Sequence, residues 1–82
     1  MNLIRLGDAT DHGGVVITAS QTMSYNGRKV ARKGDQVSCP LHPEITPNLI
    51  IEGDDKVTDH GIPVARHHHQ AMCGCHLISS LV

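Results

Sequence analysis

Apolar residues in this chain come in short runs: "VVIT" at Val15 to Thr18, "NLII" at Asn48 to Ile51 and "HLIS" at His76 to Ser79. Polar or glycine-rich residues set each run off. Runs this short and rich in β-branched residues predict strands. No window holds a helical period for long, because Gly and Pro recur throughout. Asn26-Gly27 and His60-Gly61 lie between extended stretches. A type I′ hairpin turn needs positive φ at both central residues, which such pairs accept at little cost. The pattern predicts an all-β, turn-rich fold with two hairpins.

The pattern also repeats. "VAR" occurs at Val30 to Arg32 and again at Val64 to Arg66, each time with a glycine, Gly27 or Gly61, three residues before the valine. Copies beginning at Arg5, Arg32 and Arg66 align when the second carries seven extra residues between Cys39 and Asn48. The third copy, "RHHHQAMCGCHLISSLV", is shorter and has His68-His69 where the others have Gly7-Asp8 and Gly34-Asp35. Three related units in one chain imply a pseudo-threefold arrangement.

Composition narrows the function. The 82 residues leave no room for a second core, so residues 1–82 are read as one domain with no effector extension. Tyr25 is the only residue among Phe, Trp and Tyr, so the core lacks its usual large side chains and a further staple is expected. A net charge of −1, with no aromatic stacking platform, excludes nucleic-acid binding. No signal peptide or membrane span is visible, which predicts a cytoplasmic start. There, three cysteines near histidines read as metal ligands rather than disulfides.

In the repeat register His12, Cys39 and Cys73 share one position, seven residues beyond Arg5, Arg32 and Arg66. A pseudo-threefold axis would gather them, and His42, in the C-x-x-H stretch "CPLH", is placed to supply a fourth ligand. His12, Cys39, His42 and Cys73 thus form the first-choice set for one structural zinc ion. The alternative set replaces one thiolate with a member of the run His67, His68, His69. Cys75 aligns with Gly14 and reads as a small buried residue, and His76 aligns with Val15 at the start of a strand. Cys73-x-Cys75 is not the C-x-x-C of redox sites. His60 takes the turn place of Asn26, and Asp8 and Asp35 read as turn caps rather than a catalytic pair. A zinc with only three protein ligands and a bound water would instead make a small zinc-dependent hydrolase.

The segments "RLGDATDHGG", "NGRKVARKGDQVSCPLH" and "HGIPVARHHHQAMCG", in this order and spacing, resemble the PAAR-repeat family. The family is named for a Pro-Ala-Ala-Arg motif, and its members sit at the tip of the bacterial type VI secretion spike. The resemblance covers nearly the whole chain. Pro63-Val64-Ala65-Arg66 stands at the motif, whereas Lys29 replaces the proline before Val30-Ala31-Arg32. The resemblance implies a small cone of β-hairpins with zinc near its point and a triangular base. That base would cap and sharpen a trimeric valine-glycine repeat spike protein, one chain per trimer, with no enzymatic activity of its own. Effectors would travel as separate partners. The protein would wait in the bacterial cytoplasm until firing carries it outside the cell or into a target cell. The capping face is expected opposite the metal, around Val15 to Thr18, Met23 to Gly27 and Leu49 to Ile51.

Overall fold

A computed structural model describes residues 2–81. Among them there is no helix. The strands are β1 (Ala9–Thr10), β2 (Ser24–Tyr25), β3 (Arg28–Lys29), β4 (Gln36–Val37), β5 (Asn48–Leu49), β6 (Asp54–Asp59), β7 (Ile62–Val64) and β8 (Leu77–Ile78). They pair antiparallel as β1 with β8, β2 with β3, β4 with β5 and β6 with β7. The two hairpins fall at the expected turns. Asn26 and Gly27 have φ of 49° and 84°, and His60 and Gly61 have 51° and 79°, the left-handed region a type I′ turn requires.

The apolar runs make shorter strands than their patterns suggest, because each run changes partners midway. Val16 donates its N–H to Asp8 of its own copy, and Ile17 donates to Gln36 of the next. Likewise Ile50 donates to Asp35 and Ile51 to Gln70. β8 closes the circuit by pairing with β1, so copy three meets copy one.

This circuit makes the internal symmetry physical. Ile4 N–H donates to Ala65 O at 3.0 Å, Ala65 N–H to Ala31 O at 3.0 Å, and Ala31 N–H to Ile4 O at 2.8 Å. Three residues, each just before a repeat's arginine, thus form a closed ring of backbone hydrogen bonds. A second ring lies further along the copies: Asp11 N–H donates to His76 O, Ser38 N–H to Val15 O and Met72 N–H to Leu49 O. Backbone donors and acceptors that would otherwise be orphaned near the axis are satisfied by symmetry mates within the same chain.

Small aliphatic residues fill the axis in tiers. Leu3, Val30 and Val64 form one buried cluster, against which Met23, Tyr25 and Val57 of the hairpins pack. Ile4, Ala31 and Ala65 follow, with Val16, Ile50, Leu77, Val37 and Ala71 in the second cluster. Cys73 and Cys75 join that second cluster, so the thiols belong to the end of the core remote from the hairpins. The three arginines tie each copy's turn to the hairpin end. Arg5 Nη1 donates to Tyr25 O at 3.1 Å, Arg32 Nη1 lies 3.5 Å from Asp59 Oδ2, and Arg66 Nη1 lies 2.7 Å from Asp54 Oδ2.

The degenerate third copy keeps the backbone of the other two. Gly7 and Gly34 have φ of 87° and 94°, and His68 follows them at 72° despite its side chain. Asp8 and Asp35 accept the N–H groups of Arg5 and Arg32 at 2.8 and 2.7 Å, as turn caps.

One expectation is corrected. Val15 to Thr18 and Leu49 to Ile51 do not lie opposite the thiols. Val15 pairs with Ser38 and Leu49 with Met72, each a direct neighbour in sequence of Cys39 or Cys73. Alternating polarity specifies which face a strand buries, not which end of the molecule it reaches. Only Met23 to Gly27 sits with the hairpin-end cluster. No helix in the described residues is long and apolar enough to cross a membrane.

Candidate metal centre

Equivalent chain positions deliver the first three donors. β1 leads into His12, β4 into Cys39, and the third copy's Gln70-Ala71 segment into Cys73. Backbone bonds around the axis hold these ends together, and His12 Nδ1 comes within 3.6 Å of Cys39 Sγ.

Two residues further on is another set of equivalent positions, Gly14, Asn48 and Cys75. Thr10 N–H donates to Gly14 O and Ala71 N–H to Cys75 O, each at 3.0 Å, and Val37 pairs with Asn48. Each copy places something different there. Gly14 runs against the neighbouring copy so closely that a Cβ would lie 1.9 Å from Ser38 O. Asn48 turns its amide onto Cys73, with Nδ2 3.1 Å from Sγ and Oδ1 accepting the Cys73 N–H at 3.2 Å. Cys75, fully buried, points its thiol at the axis.

The result is a group of four donors, one each from His12, Cys39, Cys73 and Cys75, all within 4.8 Å of one another. The expected residues His12, Cys39 and Cys73 are brought together. His42 lies beside the group rather than in it: its ring centroid is 5.6 Å from that of His12, and its Nδ1 is 3.6 Å from Glu44 Oε2. The signal for Cys75 lies in the C-x-C spacing. Gly74, at φ of 89°, reverses the chain so that thiols two residues apart face the same point. The histidine run serves elsewhere. His69 Nδ1 accepts the Arg66 N–H, His67 Nδ1 accepts the Ser79 N–H at 3.0 Å, and the His67 and His68 rings stack. His76 Nδ1 is 3.2 Å from Asp11 Oδ2, at the surface.

Electrostatics divides the thiols. Burial pushes Cys73 up, but hydrogen bonds from the Cys75 backbone and thiol, the Asn48 amide and the Cys39 thiol outweigh it and bring Cys73 down to about 6. Burial, together with Cys73, pushes Cys75 up to about 12. Cys39 is also raised, chiefly by burial. Without a cation, this pocket accepts one thiolate and resists more, since like charges in a desolvated site disfavour one another. A divalent metal removes that resistance by neutralising the thiolates it binds.

The donor set fits zinc. One imidazole and three thiolates make a Cys3His set typical of structural sites, and thiolates about 2.3 Å from a zinc ion stand roughly 3.8 Å apart. Donors already within 4.8 Å reach that arrangement by small side-chain adjustments. His12, Cys39, Cys73 and Cys75 would hold the ion, and the chemistry it would supply is cross-linking of all three copies at one point.

A comparison with curated proteins finds no match. A family model described as the PAAR motif matches residues 6–79, from just after the first repeat's arginine to one residue past β8. Apart from Ile4 and Arg5 at its edge, the match takes in the backbone rings that join the three copies and the whole His/Cys group at their end, and the chain belongs to the PAAR-motif family.

Proposed function

We propose that this protein is the tip of a type VI secretion spike: one chain caps a trimeric valine-glycine repeat spike protein, and one structural zinc ion holds its point. The observation that carries the reading is the closed threefold ring of Ile4, Ala31 and Ala65 within a single chain. A monomer with three near-equivalent sides can match a threefold partner without trimerising itself. The capping face is the hairpin end, where β2–β3 and β6–β7 pack on Leu3, Val30 and Val64 and leave edge strands for β-structure to extend. The opposite end carries the donors.

Hydrolysis is the weaker reading. A catalytic zinc keeps an open position for water, and four protein donors fill a tetrahedron. On this reading the chain leaves the bacterial cytoplasm only when the spike is fired.

The test is the mass, by light scattering, of the complex with the spike trimer encoded beside this protein. One chain per trimer is expected. Ile62→Glu, on the exposed side of β7, should abolish capping and leave the metal bound, because desolvating an unpaired charge at a packed interface is costly. A three-to-three complex, or no binding, overturns the proposal.

A further inference from the structure

We infer that Asn48 is a positioning residue of the metal centre, whose amide fixes the Cys73 sulfur for ligation and shares its negative charge; this rests on the His12, Cys39, Cys73 and Cys75 group binding a metal. Asn48 lies at the second equivalent position, where copy one has Gly14 and copy three has the thiol of Cys75. It is only 4% exposed, so its amide cannot be satisfied by bulk water. Both halves of that amide are spent on one residue. The Cys73 backbone N–H can only donate, so Oδ1 must face it, at 3.2 Å. This orientation forces Nδ2 towards Sγ, at 3.1 Å. The side chain therefore grips Cys73 at two points, from a different copy of the repeat.

The grip has chemical consequences. Three thiolates around one divalent cation carry a net formal charge of −1 in a site where Cys39 and Cys75 are buried and His12 and Cys73 half-buried. A neutral N–H donor to sulfur disperses that charge and sets the direction of the sulfur lone pair left for the metal. Partners of this kind, outside the ligands themselves, typically govern 10- to 100-fold of metal affinity. Asn48 also reaches Cys73 from the strand that follows the seven-residue insertion, so the insertion's return path is coupled to the site.

Cobalt(II), which reports thiolate coordination by its absorption, is the probe, titrated into the full chain in competition with a chelator. Asn48→Asp keeps the acceptor for the Cys73 N–H but replaces the donor with a charge that repels the thiolate. Asn48→Ala removes both. Both should weaken cobalt binding by roughly 10- to 100-fold and shift the thiolate-to-cobalt band. If Asn48→Ala fails to fold, Asn48→Asp, of the same shape, decides alone. Wild-type affinity with an unshifted band in a folded variant overturns the inference, and so does a loss of stability without either change. Failure of the wild-type protein to bind cobalt or zinc overturns the metal reading itself, a result distinct from either.

Discussion

His69 Nδ1 accepts the backbone N–H of Arg66 at 3.0 Å, in the place where Asp8 Oδ2 accepts that of Arg5 at 2.8 Å. An imidazole thus takes over a carboxylate's work as a turn cap, and the flanking His68 takes over a glycine's backbone conformation. His69→Asp should therefore preserve stability, whereas His69→Ala should cost about 1–2 kcal/mol by leaving an N–H without its partner. Urea denaturation of the two variants checks this, and equal losses would refute the capping role.

The structure exchanges the parts expected of two residues: Cys75, read as a small buried residue, lies in the donor group, and His42, expected as the fourth ligand, lies beside it. Cys75→Ser should lose the metal or bind it far more weakly, whereas His42→Ala, which alters a ring outside the donor group, should keep about one metal per chain. Elemental analysis of folded, dialysed protein reads both. Chelating the metal from the unmodified protein should lower Tm by at least about 10 °C, since 1 kcal/mol moves so small a domain by roughly 4–8 °C.

Gly14→Ala probes the contact between copies. The added Cβ would collide with Ser38 O at 1.9 Å, and that oxygen belongs to backbone that cannot swing away as a side chain can. The expected loss is about 3 kcal/mol, read by thermal unfolding. Gly27→Ala provides the contrast: a Cβ there meets nothing within 4 Å and suffers only the strain of its positive φ.

Acid should loosen the hairpin end through two carboxylates. Hydrogen bonds from the Ser20 and Thr22 hydroxyls hold Asp59 below the usual carboxylate range, against the opposing effect of burial and with help from His60 and Arg32. Asp54 is lowered chiefly by the Lys56 N–H, and by Arg66. A folded pKa below the unfolded value near ~3.9 contributes stability that is fully present above it and is lost as pH falls through the folded value. Acid also protonates thiolate ligands, so the diagnostic is a difference. The stability gap between wild type and Asp59→Asn should shrink from about pH 5 to about pH 3. A gap independent of pH would show that Asp59 acts by packing alone.

Much of this architecture was legible because symmetry left it in the sequence three times. Arg5, Arg32 and Arg66 set a register that located His12, Cys39 and Cys73 as one tier, and Asn26-Gly27 and His60-Gly61 announced both hairpins. The choice between His42 and Cys75 was not legible, because it depends on the path of an insertion that the other copies lack. C-x-x-H is good ligand spacing, but the turns from Pro40 to Ile45 carry His42 towards Glu44. Which end Val15 to Thr18 occupies was hidden for a related reason. Val15 and Ile17 bond to Ser38 and Gln36 of another copy, and no local pattern names those partners.

The ring of Ile4, Ala31 and Ala65 also dictates when the molecule can form. Each of its hydrogen bonds spans a long stretch of chain, and β1 likewise waits for β8. A ribosome releasing residues in order delivers Ile4 long before Ala65, so Ile4 can accept from Ala31 early, but its own N–H has no partner until Ala65 emerges. Non-local closure of this kind makes folding slow and cooperative, with loop-closure entropy met before the contacts repay it. The nascent copies should therefore gain protection together rather than one after another, and a chain stopped before Ala65 has no folded state to hold.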